Sequence, residues 1–253
     1  MFHKTGADRT PRENRVLAAY LSWVAGFVNS ASFLLVGAFT AHVTGNVGRL
    51  ANDVALGNPL SAVTAVVLIA AFFVGAFLAS MAIESEFFGP PARTYGLLML
   101  FEAGTLVAFV ALVKPGATVA KDMPALLLCG AMGLQNSLVT RLSGAVVRTT
   151  HLTGVVTDLG IEAARWFRYA RRGLSRRVNM RLSVGPSSSV RPPTEKIALL
   201  STIAAGFLVG GFFGAFSTEV LGRFAVLVPA AVLVVGGVLG MVTGRSIRVD
   251  ERE

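Results

Sequence analysis

Two short polar stretches stand out in an otherwise apolar chain: Thr40-Ala41-His42-Val43-Thr44-Gly45-Asn46 and Thr149-Thr150-His151-Leu152-Thr153-Gly154-Val155. They hold two of the three histidines in the sequence, each two residues ahead of a Thr-Gly pair. Imidazole titrates near neutrality, so such a pair can relay protons, contact a solute or ligate a metal. Two histidines with no cysteine or carboxylate cluster beside them make a poor metal site, and neither a metal nor a cofactor is expected. A hydrogen-bonded structural pair is the plainer alternative. Thr44 and Thr153 suit helix starts, where a hydroxyl caps free amides and the adjoining glycine admits a close backbone or ligand. A helix start within a membrane aims its positive dipole end at whatever lies there, which favours an anionic group. The same Thr-Gly pairs equally suit close helix packing.

Other polar residues fall inside apolar runs, where they are costly unless paired and face a bundle interior by default. Asn29 and Asn136 can bind a solute through their amides or bond across helices as structural glue. With His42, Thr44, Asn46, His151 and Thr153 they form the candidate solute site. Glu102, in Leu100-Phe101-Glu102-Ala103, is an isolated carboxylate and the candidate proton-coupling group, an interhelical bond being the alternative. Arg49 and Asp158 form a candidate charge latch between the two polar stretches. Cys129, the single cysteine, excludes an internal disulfide and reads as a small packing residue. No Gly-x-Ser-x-Gly elbow, His-Glu-x-x-His pair or phosphate loop occurs, so an enzyme is not expected.

The elements that position these groups follow from composition. Of 253 residues 53% are hydrophobic and only 15% charged, too little charged surface for a soluble domain of this length. The net charge of +9 sits mostly in the tails and between Arg165 and Lys196. That distribution fits flanks beside anionic lipid and not a groove that follows nucleic-acid phosphates. Crossing a bilayer takes about 20 mostly apolar residues in a helix. Six stretches qualify or nearly so: Val16–Phe39, Ala62–Ile83, Gly96–Val113, Pro124–Val139, Ile197–Phe216 and Phe224–Val242. Thr40–Gly57 and Thr149–Trp166 are mixed; each suits an amphipathic helix, a re-entrant half-helix or a shielded polar span. Lys4, Arg9, Arg12 and Arg15, the arginines from Arg165 to Arg191, and Arg245, Arg248 and Arg252 place both tails and the basic segment in the cytoplasm. Lys114 and Lys121 favour eight spans, whereas Arg141 and Arg148 favour six.

The chain also repeats itself. Gly26-Phe27-Val28-Asn29-Ser30 returns as Gly133-Leu134-Gln135-Asn136-Ser137, and the two histidine stretches match in the same order. Val74-Gly75-Ala76-Phe77, with Glu84 beyond, matches Val209-Gly210-Gly211-Phe212 with Glu219. The pattern Gly-x-x-Asn-Ser, Thr-His-x-Thr-Gly-Asn, Gly-Leu-Gln-Asn-Ser and Thr-Thr-His-x-Thr-Gly resembles the YoaK-like family of uncharacterised bacterial membrane proteins over roughly residues 15 to 245. The resemblance implies a multi-span inner-membrane protein with no established substrate. Two positions depart from the family pattern, which usually has an acidic residue at position 29 and often an Asn at position 155.

The expected architecture is an all-α integral membrane bundle of two repeated halves, with six spans and two polar membrane-associated helices, eight spans being the alternative. Residues 1–15 form a cytoplasmic tail, 16–121 and 122–244 the two halves, 167–196 a basic cytoplasmic loop, and 245–253 a second tail. Such duplication is common in secondary transporters, whose sites lie at the repeat interface, so a small-solute permease is the leading expectation. A membrane scaffold or assembly factor is the alternative. Gly206, Gly210 and Gly214, with Gly236, Gly240 and Gly244, form stripes suited to packing within the bundle or to a homodimer.

Overall fold

A computed structural model describes residues 4–85, 88–113, 122–178 and 194–250. Lys114, Lys121 and the Ser/Pro-rich stretch 183–193 lie outside the described residues. Among the described residues every regular element is helical: α1 (Pro11–Val36), α2 (Val43–Ala55), α3 (Pro59–Glu84), α4 (Pro91–Leu112), α5 (Asp122–Ser143), α6 (Leu152–Val178), α7 (Thr194–Leu221) and α8 (Leu227–Asp250).

Local chemistry sets several of these boundaries. The Thr10 hydroxyl accepts the Glu13 amide at 3.2 Å while the Glu13 carboxylate accepts the Thr10 amide at 2.7 Å, and Pro11 fills the first helical position. This capping box starts α1 five residues before Val16, so Pro11–Arg15 belong to the helix and not to a separate tail. Gly37 ends it in the left-handed conformation, at φ 75°. Pro59 and Pro91 likewise occupy first-turn positions of α3 and α4.

Among the described residues five helical stretches are long and apolar enough to cross a membrane: Pro11–Val36, Pro59–Glu84, Pro91–Leu112, Met123–Ser143 and Thr194–Val242. The last contains both α7 and α8, with Gly222 at φ 55° opening the 3₁₀ turn Gly222–Val226 between them. Much of this apolar surface faces outward. Only 11% of the most apolar window of α3 is buried, and Phe73, Phe77, Phe212 and Phe216 are exposed. Surface of that kind belongs against lipid chains, which marks the fold as membrane-embedded. At 13 and 27 residues, α2 and α6 are mixed in composition and neither qualifies as a span.

Three helix pairs carry the packing: α1 with α7, α3 with α5, and α4 with α8. All three close at glycine. A Cβ at Gly210 or Gly214 would run into the backbone of Trp23 or Phe27, and one at Gly206 would lie 3.2 Å from the Ala19 carbonyl. From the other side, a Cβ at Gly26 would strike the Phe207 carbonyl. Gly75 meets Gly130 and Gly133 meets Phe72 in the same way between α3 and α5. Gly96 and Gly237 do so between α4 and α8. The stripe Gly206/Gly210/Gly214 is therefore occupied by α1 within the monomer. Around these crossings Leu17, Leu21, Phe27, Met99, Leu106 and Met132 fill the buried core.

Gly210→Leu is expected to separate α1 from α7 and destabilise the protein by at least about 1–3 kcal/mol, the usual range for overpacking. Gly104→Ala, with nothing within 4 Å of its added methyl, should be neutral or slightly stabilising. Thermal unfolding of the two variants in detergent checks the pair.

Candidate functional site

The polar stretches fold as two hooks. Each connection, 37–42 and 144–151, leads into a helix that starts just after its histidine. His42 is the residue before α2, and its side chain makes no capping hydrogen bond. Thr44 and Thr153 are thus second residues of their helices, not caps, and both are exposed. Each hook is tied to the long helix before it by an asparagine. The Asn29 carbonyl oxygen accepts the Ala41 amide at 3.2 Å, and the Asn136 carbonyl oxygen accepts the Thr150 hydroxyl at 2.7 Å. The Asn136 amide in turn donates to the Met132 carbonyl at 2.7 Å. Both side chains hold the residue just before a histidine, which is the structural-glue use of an intramembrane amide.

The two histidines lie within electrostatic range of each other. His42 is half-buried and stacks on Phe207 of α7, with ring centroids 5.7 Å apart and planes 12° from parallel. His151 is exposed and close enough for its charge to act on His42. Burial first, and then His151, push the His42 pKa below the usual imidazole value. Asn46, one turn into α2, is buried, and so is Val155 in α6. The first turns of α2 and α6, with their free amides, directly follow the two imidazoles.

Arg49 and Asp158 take partners in their own stretches. Arg49 pairs with Asp53 at 3.4 Å and donates to Ser61 at 3.0 Å, while Ser61 donates to Asp53 at 2.6 Å. Asp158 faces Lys196 at 3.8 Å, and Lys196 bonds Glu162 at 2.8 Å, with Arg165 on the same Glu162 oxygen at 2.9 Å. Among the described residues no ion pair joins Arg49 to Asp158. The expected latch is replaced by two clamps, one fastening α2 to α3 and the other α6 to α7. The reason is reach: α2 and α6 each pack on the helix that follows them.

Lys196 and Ser61 were absent from the sequence-derived site, as was Phe207. A signal for them existed: the register that matches Val74 with Val209 also matches Ser61 with Lys196 and Phe72 with Phe207. Glu102 lies apart from the histidines, midway along α4.

A helical, membrane-embedded protein with two polar hooks tied to its long helices by asparagines is the class these features define. The chain belongs to the family described as Protein of unknown function (DUF1275), whose model matches residues 17–239. No curated protein and no solved structure matches it.

Two outcomes follow from the charges. His151→Ala should raise the His42 titration midpoint by removing a like charge, read by NMR of labelled histidine; an unchanged midpoint would separate the two rings. The hydrogen bond from Lys196, aided by Arg165, holds the Glu162 carboxyl below its ordinary range despite burial. Its contribution to stability is therefore present above the unfolded carboxylate pKa of about 4.3 and is lost as pH falls through the lower folded value. Melting curves between pH 7 and pH 3 should show this loss in the native protein and less of it in Glu162→Gln.

Proposed function

We propose that this protein is a secondary transporter or permease for a small anionic solute, bound where the hooks meet around His42 and His151. The observation that carries the reading is that His42 and His151, each the residue before a helix that does not qualify as a span, lie within electrostatic range of each other, with His42 stacked on Phe207 of α7. Helix starts offer unpaired amides and a positive dipole end, and a protonated imidazole adds charge of the same sign. Discontinuous helices that aim their N-termini at an anionic group inside the membrane are a recurrent device of secondary transporters. Asn29 and Asn136 position the hooks. Thr44, Asn46 and Thr153 stand on the first turns, within the proposed site.

The same reading takes α1, α3, α4, α5, α7 and α8 as six spans in two repeated halves. At about 1.5 Å per residue, α2 is roughly 20 Å long, too short to cross. Each half then crosses three times and the halves are inverted. Support comes from matched contacts: Gly26 meets Phe207 and Gly133 meets Phe72, pairs in equivalent registers of the duplicated sequence. Both tails and the arginine-rich end of α6 lie in the cytoplasm, at the inner membrane, as the positive-inside rule and the YoaK-like resemblance imply.

A scaffold reading has its own observation: α6 beyond the clamp leaves Trp166, Phe167 and Tyr169 exposed beside its arginines. Removing residues 173–194 distinguishes the two, since a scaffold loses its partner while a transporter keeps its solute.

The deciding experiment is a thermal-shift screen of the detergent-purified protein against small carboxylates, phosphates and inorganic anions, beside the His42→Ala/His151→Ala variant. A ligand at about a hundred times its Kd stabilises by roughly 2.7 kcal/mol. The expected hit stabilises the native protein more at pH 6 than at pH 8, because anion binding favours the imidazolium, and leaves the double variant unmoved. Equal stabilisation of both proteins by every hit would remove the site from the hooks.

A further inference from the structure

Glu102 is the other buried acid, and it stands in a different setting from Glu162. It lies midway along α4, is fully buried, and neither carboxylate oxygen has a hydrogen-bond partner. The charged groups of the neighbouring helices are elsewhere. The described side chains of α8, Leu227–Val242, include none, and the Glu84 of α3 and the Arg141 of α5 sit near their helix ends. Arg223, just before α8, is bound to the Val113 carbonyl at the end of α4. The Tyr20 hydroxyl of α1 acts electrostatically on Glu102. Tyr20 spends its proton on the Val232 carbonyl of α8 at 2.7 Å.

An ionised carboxylate without a partner in such a place is too costly to persist, so something positive must neutralise it. Metal cations need several oxygen or nitrogen ligands, and among the described residues no group of three metal-binding side chains exists. A proton needs one oxygen. We propose that Glu102 holds an exchangeable proton at the centre of the bundle, a proton-binding site distinct from the histidine pair. Releasing that proton requires water or a cation to reach the carboxylate between α1, α4 and α8. Proton loss is thereby linked to loosening of the helices that Tyr20 ties together. On α1, Tyr20 and Asn29 are nine residues apart, about 13 Å along the axis, so one rigid helix touches both sites. The inference rests on the burial of Glu102 alone and stands whether or not the hooks bind a solute.

The test uses dicyclohexylcarbodiimide, an apolar reagent that adds across a protonated carboxyl and ends as a stable N-acylurea, with no atom lost. The full-length protein in detergent is treated at a series of pH values from 6 to 10 and mapped by peptide mass spectrometry. Modification at Glu102 is expected at pH 6, at least threefold lower at pH 10, and unchanged by sodium or potassium at fixed pH. Glu102→Gln should lose that adduct alone; mapping of the native protein carries the result even if this variant fails to fold. No adduct at Glu102, an adduct indifferent to pH, or protection by sodium or potassium would overturn the proposal.

Discussion

Backbone lies on backbone where α7 runs along α1 through Gly206, Gly210 and Gly214. Among lipid chains there is no hydrophobic gain in pressing one apolar helix on another, so contact area between backbones and small side chains does the work. Several of the polar contacts depend on that crossing. Phe207, which stacks on His42, is set by the place where its carbonyl passes Gly26. Lys196, which reaches Glu162, is the third residue of the same α7. Asn29 holds the first hook from α1, and Tyr20 on that helix reaches α8. A side chain inserted at the crossing would displace all of these together.

The two hooks solve one problem with different chemistry. Each of these polar helices must be fastened to the helix after it, because neither is apolar enough to be held by lipid. The first clamp carries its cation on α2, with Asp53 and Ser61 as partners. The second carries it on α7, where Lys196 stands in the register of Ser61 and faces two acids on α6. Under the proposed duplication the charge has changed helices while the clamp has stayed in place. A similar divergence leaves the Thr149 hydroxyl without a partner: its counterpart Thr40 donates to Ser32 at 3.1 Å, but Val139 stands where a second serine would be.

Charge is divided along α6. Its first turns belong to the hook and bury Val155 and Glu162, whereas from Arg165 onward every described side chain is exposed. Arg171 lies over the Phe167 ring, 6.0 Å from its centroid. One continuous helix therefore leads from the histidine region to the basic segment.

Much of this was legible in the sequence. The six apolar stretches lie on the long helices, because lipid requires uninterrupted apolar length and leaves that length visible in composition. The histidine stretches stand out in the sequence because polar residues survive in such surroundings only with partners. The limits of α1 and α6 were less visible: a capping box extends the one and a polar amphipathic tail the other, and neither raises hydropathy. Partners were not legible at all. Arg49 and Asp158 occupy matched positions and carry opposite charges, yet each bonds within its own hook. Residue types and spacing determined which groups must be satisfied; only the path of α2 and α6 back onto α3 and α7 decided by whom, because a salt bridge reaches about 4 Å and sequence spacing does not measure distance in space.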